Sequence, residues 1–540
     1  MASSTKKDRS GFEAIDKTVF FPATIITLLF GLLFFIFPEQ SQEVLNNVHA
    51  FTTNELGWFF LVATLAFLGV CMYYAFGPTG NILLGKKGEK PDFKTSTWLG
   101  FILISGTGGS LLYLASIEWI WIVADPPYGL EAESVEAFRA AMAYGMFHWG
   151  PSAWGLYIAC AVPIAYFFFV KRKSNMKMSD YARPLIGDKA DGFVGHTLNF
   201  FYIFGLLGGV LTSVALGTAP IASGIAFALG MEEANNVINV LVIGLWTMVP
   251  VFAFTFGLKK GLAKLSNINI KAFYILFFLI VLTGPTWFIF NMASEGMGVM
   301  LQNFVSMSLN TDPIGQGGFP QAWTIFYMSW WAVYALPFGL FIAKISKGRT
   351  IRQLVIGGIA AGSIGCMIVY MILPAFGMDM HLSGEVDLVH SLANYGRGGV
   401  VIDMFRNFSI FGLNIGTFMV LAFTLIVLFS FITGHITVGY SLAAASEKKL
   451  GQDEDPQVWN SAFWLLLAGF VSLGLFLINP AALTPLQTVS IITGFPIVFA
   501  MLILVLSFFK QIKKDFPEGV PRPTHNEKGV YGPSEDEVNA

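Results

Sequence analysis

W-T-I-F-Y-M-S-W-W-A-V-Y, residues 323–334, lies inside one apolar run. It carries Trp323, Tyr327, Trp330, Trp331 and Tyr334. At about 100° per residue, all five project within roughly one 100° sector of a helix. Contact with lipid does not require such a stripe of large amphipathic rings in mid-span. An ammonium cation suits it, because ring faces attract cations without a formal counter-charge. Aromatic packing is the competing reading, and five rings on one face favour a ligand over it.

The rest of the chain sets that run in a membrane. Of 540 residues, 55% are hydrophobic and 12% charged, whereas soluble domains run near ~25% charged. Apolar residues come in runs of about 20 or more, the length that crosses a hydrocarbon core of about 30 Å. This is the pattern of an all-α membrane protein; a β-barrel would show short alternating segments. Twelve transmembrane helices are expected, at 18–37, 56–77, 97–123, 141–170, 195–229, 236–257, 270–292, 321–345, 352–376, 411–445, 458–479 and 484–509. Segment 297–308 is too short to span and reads as an interfacial helix.

Basic residues test this map. With the N-terminus inside, 29 of the 32 Lys and Arg fall in inner segments, leaving Arg139, Arg397 and Arg406 outside. That split is the one the positive-inside rule expects, and it places both termini in the cytoplasm. Residues 1–15 and 512–540 read as mobile cytoplasmic tails flanking a membrane domain at 16–511. The first span lacks a cleavage site after it and is read as retained. Cys71, Cys160 and Cys366 fall in spans without metal-ligand spacing, so no disulfide framework is implied. No Walker motif, G-x-S-x-G, H-E-x-x-H or Cys/His cluster occurs, which disfavours an enzyme or a primary pump.

Four further stretches hold candidate chemistry. S-G-T-G-G-S, at 105–110, puts three glycines in span 3. It reads either as unwound backbone lining a cavity or as close helix packing. Glu118 follows in S-I-E-W-I-W; an acid at membrane depth is a functional candidate, with a structural hydrogen bond as the alternative. Span 4 carries F-H-W-G-P-S-A-W-G-L-Y, with Trp149, Trp154 and Tyr157. These rings read as ligand walls or as an interfacial belt, and His148 as a buried hydrogen-bonding residue. In span 10, Thr433 and Thr437 stand one turn apart and offer oxygens to a hard cation such as Na⁺, or bond the preceding turn's carbonyls.

These stretches together resemble the betaine/carnitine/choline transporter family over most of the chain. The carrying motifs are S-I-E-W with D-P-P-Y-G-L-E, F-H-W-G-P-S-A-W, T-D-P-I-G-Q-G-G-F-P-Q-A-W-T-I-F-Y-M-S-W-W and A-K-I-S-K-G-R-T-I-R-Q. Several most resemble the carnitine branch. The resemblance implies a LeuT-like core, with spans 3–7 and 8–12 as inverted repeats and spans 1 and 2 peripheral. Spans 3, 4, 8 and 9 would form the moving bundle of a homotrimer in the bacterial inner membrane. No nucleic-acid partner is implied.

Carried over residue by residue, the family's ammonium box falls on Trp330, Trp331, Tyr334 and Trp121. Trp323 matches a second, cytoplasmic-side substrate site, and Trp149, Trp154 and Tyr157 match the aromatic signature of span 4. Glu118 or backbone dipoles would sort zwitterions from choline. Sodium-independent antiporters carry an Arg and a Met where this chain has Asn269 and Phe338, which points to sodium symport. Against this, the paired hydroxyls of span 10 are here Thr433 and Gly434, and Ile436 replaces an Asp. Two sodium sites are expected, one around Thr107 and Thr433, another around Thr212, Ser213 and Phe338. The expected function is uptake of a methylated ammonium compound with no cofactor besides Na⁺. Substrate exchange without an ion gradient and a non-transporting ammonium sensor are the rivals.

Overall fold

The computed structural model describes residues 11–86, 88–105, 108–173, 177–256, 259–448, 450, 454–478, 484–523 and 529–532. Among the described residues, eleven helices are long and apolar enough to cross a membrane. They are span 1 (Lys17–Ile36), span 2 (Gly57–Phe76), span 4 (Val135–Val170), span 5 (Phe193–Ala228) and span 6 (Asn236–Thr255). Span 7 (Lys259–Thr283), span 8 (Pro320–Lys344), span 9 (Ile351–Leu382), span 10 (Gly416–Ser446), span 11 (Val458–Ile478) and span 12 (Thr484–Asp515) follow. The twelfth crossing is span 3, which comes as two helices, Thr95–Ser105 and Gly109–Ala124. Neither piece alone reaches the ~20 residues a bilayer needs.

Helix starts follow local chemistry. Ser134 and Asn235 side chains accept from Ala137 and Ile238 backbone N–H groups, satisfying donors that a helix leaves orphaned at its first turn. Thr350 and Gln353 form a reciprocal capping box on span 9. Thr350→Ala removes that side-chain acceptor and is expected to cost about 1 kcal/mol. A thermal-unfolding scan of the purified protein checks it.

The packing pairs show two repeats. Span 3 packs on span 9 as span 8 packs on span 4, and span 5 packs on span 12 as span 10 packs on span 7. Span 5 meets span 11 as span 10 meets span 6. Each of these pairs maps onto its partner when spans 3–7 are exchanged with 8–12. Five is an odd number of crossings, so the second repeat is inverted relative to the first. Span 1 lies outside on spans 5 and 11, and span 2 on spans 4 and 9. Span 1 leaves Ile25, Leu29 and Leu33 exposed, as a lipid-facing stripe does.

Contacts between loops sort them onto two ends. At one end, Lys171 after span 4 pairs with Asp515 at 3.1 Å, and Lys347 after span 8 pairs with Glu89 at 2.9 Å. Asp16, which caps span 1, bonds Lys177 there too. Burial pushes the Asp16 carboxyl up, but the bonds from Lys177 and Thr18 outweigh it and hold its pKa below the ordinary value. At the other end, Glu133 after span 3 faces His381 at the end of span 9, and Arg139 meets Glu295 at 2.5 Å. The basic loops therefore share one end, as the sequence map requires.

Several expected boundaries are corrected. Span 7 stops at Thr283 rather than near 292, because Pro285 lacks the N–H that would continue the helix. A separate helix, Thr286–Leu309, begins there, longer than the expected 297–308. It packs on Val135–His148 and leaves Trp287 exposed. Helices Pro38–Glu55 and Leu388–Arg406 fill loops in which no helix was expected. The tails are docked where they are described. Ile15 is fully buried and bridges Glu447. Val530–Tyr531 pairs in parallel with Ile82–Leu83, and Leu83 also bridges Thr350.

Candidate functional site

Two helix breaks set the site. In span 4, helix Val135–His148 ends and Pro151–Ala165 begins across Trp149 and Gly150. A Cβ on Gly150 would lie 2.6 Å from the Met146 carbonyl oxygen, so only glycine fits this close turn. Pro151 then starts the second piece, where its missing N–H costs nothing. The break aims Trp149 inward. In span 3, Gly108 precedes the second helix, and Gly108–Leu111 meet the same space. Both readings of the glycine run have support: Gly108 is extended beside the cavity, and a Cβ on Gly109 would lie 2.2 Å from the Phe431 ring of span 10, while Gly106 and Thr107 lie outside the described residues.

That cavity holds about 510 Å³. One end is walled by Trp149, Tyr157, Trp330, Trp331 and Tyr334. Trp149 and Trp331 ring centroids are 5.2 Å apart at 79°, and Trp149 and Trp330 are 6.2 Å apart at 90°. Tyr157 closes on Trp331 at 4.9 Å and stacks on Phe338 at 4.9 Å. Edge-to-face rings of this kind present both faces and edges to an occupant. Among the described lining residues there is no Asp, Glu, Lys or Arg.

The lining also includes the polar residues Ser266, Asn269, Thr433, Thr437 and Ser441, set among apolar ones such as Ile270, Phe341 and Val438. The hydroxyl protons of Thr433, Thr437 and Ser441 are committed to backbone. Thr433 donates to Phe429 and Ser430 carbonyls, Thr437 to Thr433, and Ser441 to Thr437. What remains for the cavity is oxygen lone pairs, which suit a cation.

Two of the expected sodium ligands, Asn269 and Thr212, fall on repeat-related seams. Asn269 on span 7 donates to the Ile426 carbonyl and to Ser430 Oγ at 2.9 Å, both on span 10. Across the matching seam, Thr212 on span 5 lies 2.8 Å from Ser490 Oγ on span 12. Ser213 donates to the Gly209 carbonyl and receives Tyr334 OH at 2.8 Å. Phe338 lines the cavity beside Tyr157. Thr107 lies outside the described residues.

Four expected binding residues do not line the cavity. Trp121 lies beside Trp323, with ring centroids 5.1 Å apart. It sits twelve residues beyond Gly109, roughly 18 Å along the helix, which carries it past the box. Trp323 lies in a wide π-turn at Pro320–Thr324 that opens span 8, at the end opposite Lys344. Trp154 stands behind the box, fully buried, 6.1 Å from Trp331. Glu118 is fully buried and accepts from Tyr327 OH at 2.6 Å and from Tyr370 OH, with His148 Nδ1 2.8 Å away. Sequence reading passed over Tyr370 and Thr324, since neither interrupts its apolar run; only the fold brings them to Glu118 and His148.

A family model described as betaine/carnitine/choline family transporter matches residues 18–517.

Proposed function

The chain belongs to the betaine/carnitine/choline transporter family, and on that premise we propose that it is a secondary active importer of a small methylated ammonium compound. Glycine betaine, carnitine, choline and trimethylamine N-oxide are the candidate substrates. One observation carries this reading: the uncharged cavity end walled by Trp149, Tyr157, Trp330, Trp331 and Tyr334. Each ring-face contact is worth about 0.5–2 kcal/mol, more when dry. Three or four of them hold a small ammonium at roughly micromolar to millimolar affinity after ordering costs. A neutral box suits release as well as capture, because no buried salt bridge must break.

The first turn of Gly109–Ala124 lines the same cavity. Its positive dipole end favours an anionic group, which supports a zwitterion over choline. A homotrimer in the bacterial inner membrane with both termini cytoplasmic, nearest the carnitine branch, completes the reading.

Sodium symport is the favoured coupling, supported by Asn269 and Phe338 standing where sodium-independent members carry other residues. Exchange is the second reading, favoured by Gly434 beside Thr433, which leaves one hydroxyl fewer on span 10. Proteoliposomes loaded with purified protein decide between them. We expect uptake of one labelled methylamine to rise with an inward sodium gradient and to need no internal substrate. Uptake that ignores sodium but requires internal substrate establishes exchange. A competition panel of the four candidates at two sodium concentrations ranks them, and absence of uptake for all of them refutes the proposal.

A further inference from the structure

Glu118 is not among the residues that line the cavity, yet its carboxylate meets three side-chain partners. Its carboxylate, on span 3, accepts Tyr327 OH of span 8 at 2.6 Å and Tyr370 OH of span 9. His148 of span 4 sets Nδ1 2.8 Å from the other oxygen. The far ring nitrogen, Nε2, lies 3.2 Å from Thr324 Oγ1, again on span 8. Glu118 and His148 are both 0% exposed. One side chain on span 3 thus bonds directly to three other helices, spans 4, 8 and 9.

The bonds also reach the box. Tyr327 and Tyr370 ring centroids lie 6.0 Å and 5.9 Å from that of Trp149, which walls the cavity. His148 stacks on Tyr327 at 4.6 Å. Gly145 keeps this arrangement closed, since a Cβ there would lie 2.3 Å from the Tyr370 ring. A buried carboxylate is costly unless its oxygens are satisfied. Burying one here, away from any ligand, calls for a role in the four helices themselves.

We propose that Glu118 is a positioning residue for the transport step. It ties spans 3, 4, 8 and 9 into one body and holds Tyr327 and Tyr370 behind Trp149. The ring wall and the bundle then change position together, and a loosened bundle binds substrate but moves slowly. This rests on the transport reading above.

The test compares turnover per folded transporter and KM in proteoliposomes, with the folded amount read by size-exclusion chromatography. Glu118→Ala is expected to lower turnover about tenfold or more while changing KM less than about threefold, the signature of a group acting in the moving step rather than in binding. Glu118→Gln is expected to recover most of the turnover. Its amide oxygen takes both phenol bonds, and its N–H meets His148 in the other tautomer. Unchanged turnover in Glu118→Ala overturns the proposal, and so does an equal loss in Glu118→Gln, which would assign the role to charge. If Glu118→Ala does not fold, Tyr370→Phe removes one donor and keeps the ring. A turnover loss with KM unchanged supports the proposal there, and full turnover overturns it. Wild-type protein that takes up no methylamine defeats the functional reading itself; wild-type uptake with undiminished Glu118→Ala defeats only this inference.

Discussion

Trp331→Leu is expected to weaken binding of a methylated ammonium substrate by about 2 kcal/mol, roughly 30-fold in Kd. Trp331 is the ring on which the box turns. It contacts Trp149 at 5.2 Å, Tyr157 at 4.9 Å and Trp154 at 6.1 Å, and it is only 5% exposed. Leucine keeps much of the apolar volume and the helix propensity, so the fold survives while the π-face is lost. Binding and uptake should fall together. Isothermal titration with the best substrate from the competition panel, set beside proteoliposome uptake, measures both. Intact uptake in this variant would remove the ring wall from the mechanism.

Gly362→Val should act through the shell behind that wall, and it should be felt first as stability. A Cβ on Gly362 would lie 2.1 Å from the Trp154 ring. Trp154 is fully buried and stands 5.6 Å from Tyr157, so it has no free space to enter. Overpacking of this kind costs about 1–3 kcal/mol. The displaced indole also presses on Trp331 and Tyr157, so ligand affinity should drop as well. Thermal unfolding with and without substrate reads both effects: a lower midpoint, and a smaller rise when substrate is added. Gly244→Ala is the control, since nothing lies within 4 Å of a Cβ there. A Gly362→Val protein as stable as the control would refute the tight fit of spans 4 and 9.

The spans were legible because bilayer thickness and the sidedness of basic residues leave a strong one-dimensional record. Boundaries at Pro285 and the helices Pro38–Glu55 and Leu388–Arg406 were less so. Residues 38–55 and 388–406 are polar enough to pass for loop, and their helicity comes from docking on neighbours. The box was half legible. Angular periodicity put Trp323, Tyr327, Trp330, Trp331 and Tyr334 on one face, and they do share it, but a face also has length. Seven residues separate Trp323 from Trp330, about 10 Å of helix, so the stripe passes through the site and beyond it. Trp121, twelve residues beyond Gly109, likewise lies outside the cavity lining. Glu118 declared itself as an acid at membrane depth, but nothing in the sequence named Tyr370 as its partner, because that pairing exists only across helices distant in the chain.

The short pairing of Val530–Tyr531 with Ile82–Leu83 bears on how this protein is to be handled. Leu83 meets Thr350 across its other side, so residues 82–83 form the middle of a small three-ply patch. Trimming the chain ahead of residue 530 would leave that middle ply with an open flank of unpaired amides. An open flank of this kind recruits whatever extended chain is nearest, and in a concentrated detergent sample that is a neighbouring molecule. Crystallisation and grid samples are therefore best made with the C-terminal residues left on.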